Sequence, residues 1–371
     1  MGFEKIGFAE SLSVILIIVL SHLILSLPMS IIESQGSSSL LNVIYITILA
    51  LIFIYFLNLL YKKFKGMDIL DISEFLFGKT FKYIIGFIFI AYFLFVSYLL
   101  LRSTSENLKV IYFPSTPIPF ILFFLILSVT FLSRFRLNNI IRCNLIVVPL
   151  IILALLIVIS LSTESFVLER VFPVFGYGLN NIFLEGSANI FGFANIIFLF
   201  FIMSMLKDYK QFKKLSVISV LISRLFIFLT VASVLLAFPL DIASGSNIPV
   251  YLQTREITLG KFIQRSDALF VLIWILAILS YLSVVTGFIL RIFKKITNIQ
   301  NSSAMCYCFV AVLLGISLLY SNVLQIKYIS SGFYKYSFII LVFGVCFTIL
   351  IFANIKKVFQ SFKGRIKNAF K

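Results

Sequence analysis

Along the chain, long apolar runs alternate with short polar stretches, and the two-residue alternation of a membrane β-barrel is absent. Ten runs stand out, at 12–32, 40–61, 83–101, 118–133, 144–161, 190–206, 215–238, 268–290, 305–320 and 336–353, each bounded by polar or charged residues. A hydrocarbon core about 30 Å thick takes roughly 20 apolar residues per crossing helix, with about 17–25 tolerated. Backbone groups in lipid must bond within their own segment, so each run is expected to be a spanning α-helix. The fourth and ninth runs are short, and are expected to tilt little or to borrow flanking residues. The first run does not read as a signal peptide. It is too long, follows Glu4 and Glu10, and lacks a small-residue cleavage site before the second run.

Composition sharpens this into an all-α membrane protein. Of 371 residues, 61% are hydrophobic and 12% charged, with a mean hydropathy of +1.13. A soluble domain carries about 45–50% apolar and about 25% charged residues. A soluble enzyme, a disordered chain and a disulfide scaffold are thereby excluded. The formal net charge of +17 has a definite location. With ten spans, 22 of the 31 Lys and Arg residues fall on the side that carries both termini, 8 fall on the other side, and Arg224 lies inside the seventh run. Positive charge marks cytoplasmic loops, so both termini are expected in the cytoplasm. Lys356, Lys357, Lys363, Arg365, Lys367 and Lys371 form a basic tail over 356–371, directly after the last run. There the anionic leaflet attracts cations, and the expected partner is the lipid bilayer, not nucleic acid.

No catalytic constellation is present. The sequence holds neither a nucleophile elbow, nor a phosphate-cradling Gly-x-x-x-x-Gly-Lys, nor a metal-ligand cluster, so no enzyme, cofactor or metal is expected. An ATP-driven pump would need a soluble nucleotide-binding domain of about 100 residues or more, for which there is no room. Cys306 and Cys308 lack a nearby histidine or carboxylate, and with Cys143 and Cys346 they read as packing thiols. The sequon at Asn301 falls in a loop assigned to the cytoplasm and carries no weight. What remains is binding, transport, channel or receptor work.

Ten helices divide into five plus five, over approximately 11–162 and 186–355. A repeat with an odd number of spans inserts its second copy upside down, and in such transporters the first helix of each half is interrupted at the binding site. The sequence supplies two matching interruptions. Run one carries Ser21, His22, Ser26 and Pro28, and proline costs a backbone hydrogen bond. Run six opens with Gly186-Ser187-Ala188-Asn189 and continues Gly192-Phe193-Ala194-Asn195, poor helix formers with side chains that compete for backbone groups. A single kink is common in membrane helices. Two in corresponding places point to a binding centre between runs one and six. His22, a lone histidine in a span, is costly and is expected to face the bundle interior. Proton sensing, ligand binding and a hydrogen bond to a neighbouring carbonyl are all open to it. Tyr98, Arg102 and Glu106 follow one another along the outer end of run three, and Arg102 with Glu106 forms an i,i+4 pair that reads as structural. Arg224 reads as snorkelling to the cytoplasmic interface, and Trp274 as packing, with lining of the cavity as its alternative.

The stretch from Arg102 to Pro119 (R-S-T-S-E-N-L-K-V-I-Y-F-P-S-T-P-I-P) resembles the Arg…Glu…Pro-x-Thr-Pro signature of spore germination permeases. Further matches are Phe75-Leu76-Phe77-Gly78-Lys79, Arg142, Phe172-Pro173-Val174, and the outer loop from Ile248-Pro249-Val250-Tyr251 through Arg255 and Ile263-Gln264-Arg265-Ser266-Asp267 into Trp274. The resemblance spans essentially the whole chain in order and spacing. It implies membership of the amino acid–polyamine–organocation superfamily and a LeuT-like fold. It also implies the B subunit of a germinant receptor, working with A and C subunits in the spore inner membrane, where it senses a small nutrient, such as an amino acid, and triggers ion release. A homo-oligomer is left open. On this reading the nutrient lies between helices 1, 3, 6 and 8, with His22, Ser26, Pro28, Tyr98, Gly192, Phe193, Asn195 and Trp274 as candidate ligand contacts. Arg102, Glu106, Arg265 and Asp267 are the candidate gating or structural residues. The outer loop 239–267, amphipathic from Ile257 to Asp267, is expected to act as a lid or as a contact for the other subunits. One departure stands out: family members often carry Gly-Glu where this chain has Ala194-Asn195, so any role resting on charge at that position is put in doubt.

Overall fold

The computed structural model describes residues 5–25, 27–193, 195–246, 248–257, 266–299, 302–319 and 333–369. Among them the regular structure is helical throughout. In chain order the helices are α1 (Phe8–Ile24), α2 (Leu27–Gln35), α3 (Ser39–Tyr61), α4 (Ile69–Phe77), α5 (Lys79–Ile111), α6 (Ile118–Ser133), α7 (Leu137–Leu161), α8 (Leu179–Phe183), α9 (Ile196–Ile202), α10 (Tyr209–Ala237), α11 (Leu240–Gly245), α12 (Pro249–Glu256), α13 (Ser266–Thr297), α14 (Ser302–Leu319), α15 (Phe333–Ile339) and α16 (Thr348–Ala369).

Among the described residues, six helical stretches are long and apolar enough to cross a membrane: Leu27–Tyr61, Lys79–Ile111, Leu137–Ser165, Tyr209–Ala237, Asp267–Thr297 and Tyr334–Gln360. Four shorter apolar helices accompany them, at Phe8–Ile24, Ile118–Ser133, Ile196–Met205 and Ala304–Leu319. Every predicted run contains helix, but helix ends and run ends differ. The third run was bounded at 83–101 by its apolar residues, whereas α5 continues to Ile111. Apolarity measures only the part that faces lipid or core. The helix persists beyond it because Arg102 and Glu106, buried and paired, satisfy one another within it.

The apolar surface has two uses. On α3, Ile44, Ile48, Ile52, Tyr55 and Leu59 recur at helical spacing and are exposed, while Val43, Ile46, Ala50, Ile54 and Leu57 are buried. One face packs inward and the other is left for lipid, so the helix is apolar all round. The centre is built by α1, α5, α10 and α13. α13 packs on α5, α7, α1 and α6, and α1 packs on α7, α10 and α13.

Local chemistry ends and turns the helices. Asp68 caps α4, its carboxylate accepting from the backbone N–H groups of Leu70 and Asp71, and Asp208 caps α10 through Gln211 N–H. Pro249 opens α12 at the first turn, where a missing N–H costs nothing. Gly36, between α2 and α3, has φ +58°, and a Cβ there would lie 3.0 Å from the Tyr177 ring, so both backbone and space call for glycine.

Candidate ligand-binding site at the two helix breaks

The first predicted run is not one helix. α1 ends at Ile24, Leu25 departs from helical geometry, and α2 starts at Leu27 with Pro28, a buried residue, in its first turn. Proline can begin this segment because its ring fits the first helical turn but not an interior one. The sixth run is broken too. A 3₁₀ stretch, Glu185–Phe193, gives way to α9 at Ile196 with Asn195 at its cap, and a second 3₁₀ turn, Met203–Met205, closes it. Glycines and asparagines hold the loosely bonded 3₁₀ form because their intrinsic helix preference is low.

The breaks lie side by side. A Cβ on Gly192, which is buried, would stand 3.3 Å from Leu27 Cδ1 and 3.8 Å from Arg224 Nη1. Asn195 is 1% exposed and donates from Nδ2 to Ser223 Oγ at 3.3 Å, which ties the sixth-run break to α10. Its Oδ1 is buried and makes no hydrogen bond. On the α1 side, Ser21 Oγ donates to Ile17 O at 2.7 Å and to Ala277 O at 3.2 Å, fastening the end of α1 to α13. A polar atom buried without a partner is costly, and Asn195 Oδ1 lies beside unwound backbone.

His22, in the last turn of α1, meets Tyr281 of α13 edge-on at 5.4 Å and lies nearly parallel to Tyr334 of α15 at 6.2 Å. Its Nε2 is buried and makes no hydrogen bond to a carbonyl or any other described group. The Tyr92 hydroxyl of α5 faces the same tyrosines, and is buried without a hydrogen bond. Tyr281 and Tyr334 thus flank His22, with Tyr92 beside them, and the sequence singled out none of the three. A tyrosine in a span looks like any other core aromatic until the helix rotations are known.

Trp274 is fully buried on α13, with Nε1 buried and without a hydrogen bond. Tyr98 is buried on α5 beside Phe95. Phe193 ends the 3₁₀ stretch. Ser26 and Arg265 lie outside the described residues, as does most of the amphipathic segment expected over 257–267.

One expectation is overturned. Arg224 does not snorkel to an interface. It sits fifteen residues after Tyr209, the first residue of α10, or about 22 Å along the helix at 1.5 Å per residue. It is 3% exposed, with its guanidinium beside Gly192. Counting from the apolar start of the run placed it near the end of the span, but α10 begins six residues earlier than that, at Tyr209.

Below the breaks lies an aromatic layer. Phe198 of α9 stacks on Phe93 of α5 at 5.0 Å and meets Phe288 of α13 at 5.1 Å, while Phe201 meets Phe89 at 4.8 Å. All five rings are buried. Beyond them, a polar cluster joins four segments. Lys295 Nζ lies 2.6 Å from both Asp68 Oδ2 and Asp71 Oδ2, and Arg291 Nη2 donates to Ser204 Oγ at 3.1 Å. Ser204 Oγ in turn donates to Asp68 Oδ2 at 3.3 Å, and Lys5 Nζ donates to Ser204 O at 3.0 Å. Burial pushes the Asp68 carboxyl up, against the opposing pull of the Lys295 ammonium.

At the opposite end, Arg102 donates from Nε and Nη2 to Glu106 Oε1 at 3.0 and 2.6 Å, and from Nη1 to Ser317 O at 3.0 Å, so the pair joins α5 to α14. Asp267 Oδ2 accepts from Tyr251 at 3.2 Å and from Tyr112 at 3.4 Å. Burial, with Tyr112 and Asp267 nearby, pushes the Tyr251 hydroxyl up to about 12, so it remains a donor at neutral pH. Neither the Arg102 pair nor Asp267 makes a contact with the breaks. Cys306 is buried while Cys308, two residues on, is exposed, and no group of three metal-ligating residues occurs among the described residues.

The comparisons agree with this architecture. The family model described as spore germination protein matches residues 5–326. Spore germination protein B2 of Bacillus subtilis (strain 168) is 22% identical over 276 residues, which covers 73% of this chain and 74% of that protein. Among solved structures, a Na⁺-coupled sialic acid symporter in a substrate-bound outward-open state superposes with a TM-score of 0.58, over 91% of this chain and 79% of that chain, at 13% identity. That likeness is one of fold, and the fold is the LeuT type. A membrane protein of permease type, with apolar helices around two interrupted ones, is what sequence, structure and comparisons have in common, and the chain belongs to the spore germination protein family, which is not a family of enzymes.

Proposed function

We propose that this chain is the membrane-embedded B subunit of a germinant receptor, which binds a small nutrient, an amino acid, between the two helix breaks. The reading takes ten spans in two inverted sets of five, over approximately 11–162 and 186–355, with both termini and the basic tail 356–371 in the cytoplasm. A and C subunits complete the receptor in the spore inner membrane. The single observation that carries the binding site is the adjacency of the breaks: Gly192 against Leu27, with Asn195 Oδ1 buried and unbonded beside them. The nutrient drives the switch only by binding one arrangement of the two sets better than the other. That change then triggers ion release through the assembled receptor.

The likeness to a Na⁺-coupled symporter favours a second reading, an ion-coupled amino acid transporter. Proteoliposomes loaded with the purified chain separate the two. Binding of labelled amino acid without gradient-driven accumulation is the expected result. Steady accumulation under a sodium or proton gradient would replace the receptor reading with the transporter one. Triggered potassium flux without amino acid uptake would make the receptor itself a nutrient-gated channel.

A further inference from the structure

We infer that Arg224 anchors a carboxylate of the bound nutrient, which makes the site selective for carboxylate-bearing molecules. The inference rests on the binding centre proposed above and assigns its chemistry. Arg224 is 3% exposed at mid-length of a spanning helix, where an ionised side chain is costly and marks function. Its Nη1 lies at the sixth-run break, 3.8 Å from where a Gly192 Cβ would stand. Leu27, the first residue of α2, borders the same spot, so the amino end of a nine-residue helix adds its partial positive charge there. The adjoining Ser223 holds Asn195 Nδ2, which leaves Asn195 Oδ1 unbonded in the same neighbourhood.

A planar guanidinium offers parallel donors that match the two oxygens of a carboxylate, a geometry an ammonium cannot reproduce. Gly192 keeps the approach clear: a side chain there would fill the space between Leu27 and Arg224. Asn195, at the cap of α9 beside Ser223, is neutral and brings no negative charge of its own to this spot. The local field therefore favours an anionic group and disfavours a cationic one.

The test uses the purified full chain in detergent and reads the rise in melting temperature against probe concentration. The probes are the twenty L-amino acids, the carboxamide of each, glucose and inosine. The expected result is saturable stabilisation by one or more amino acids and none by the matching amides. Arg224→Lys is expected to raise the half-saturating concentration about tenfold or more, and Arg224→Ala to abolish the effect. An amide that binds as well as its acid, stabilisation by glucose or inosine alone, or an unchanged half-saturation in Arg224→Ala would overturn the assignment while leaving nutrient binding intact. Absence of any effect from every probe on monodisperse wild-type protein would instead overturn the binding centre, and the assignment with it. Should Arg224→Ala fail to elute as a single species, the acid-against-amide comparison on the wild-type chain decides.

Discussion

Gly186 shows how closely single residues are specified around the sixth-run break. A Cβ there would stand 2.1 Å from Asn42 Nδ2 and 3.0 Å from Asn181 O, and the second of these is backbone that cannot swing away. Asn42 is also committed, donating to Ile182 O at 2.9 Å and accepting from Asn189 Nδ2 at 3.0 Å. Gly186→Ala is therefore expected to cost about 1–3 kcal/mol through overpacking and loss of that network. Gly315→Ala, with nothing within 4 Å, should leave the melting temperature unchanged. Equal melting curves for the two variants would refute the account. At this scale the structure places His22 in the last turn of α1, Gly192 in the 3₁₀ stretch and Asn195 at the cap of α9, next to the interruptions that the sequence marks. The sequence offers no means of telling Tyr92, Tyr281 and Tyr334 from the other tyrosines, because His22, which Tyr281 and Tyr334 flank, is distant from all three in sequence.

Elements are held to one another by few, well-placed polar contacts. Lys295, at the end of α13, bridges Asp68 and Asp71 on the cap of α4, while Asp68 is almost wholly buried. Lys295→Ala would leave that carboxylate with its cap N–H groups, Ser204 and the Arg291 guanidinium nearby, and is expected to cost about 3 kcal/mol, the low end for breaking a buried pair. Asp71 is the more exposed of the two, with 27% of its side chain accessible against 2% for Asp68, and Asp71→Asn should cost about 1 kcal/mol or less. Thermal melts of the two variants check the ranking, and a larger effect from Asp71→Asn would contradict it. Helix positions were legible because lipid demands long apolar segments. The ends of α5 and α10 were not, since a helix continues past its apolar part wherever polar groups pair within the protein, as Arg102 does with Glu106. The short α4, α11 and α12 carry too little apolar length to register as runs.

For the whole molecule, the aromatic layer at Phe93, Phe198 and Phe288 and the Lys295 cluster close one end of the bundle beneath the breaks. The excess of Lys and Arg on alternate loops sets this end in the cytoplasm, if charge governs insertion as it does in other multi-span proteins. A fluorescent protein fused after Lys371 should then fluoresce, and alkaline phosphatase fused after Arg170 should be active. The opposite pattern would invert the topology and place the closed end outside. The proposed binding centre, with aromatic rings packed on one side of it, suits a two-state switch, because packed layers rearrange as units.

The sequence by itself determined the membrane environment, the apolar runs, the two interruptions and the family. Each of these is a one-dimensional property: apolar length, helix-breaking residues, loop charge and motif order can all be read without knowing what touches what. Only the tertiary structure decided that the two interruptions meet, that two tyrosines flank His22, and that Arg224 is an interior residue and not an interfacial one. Those facts depend on the rotation of each helix about its own axis and on where α10 begins. Both are set by packing between helices far apart in the chain, which a pattern of apolar residues on all faces leaves free.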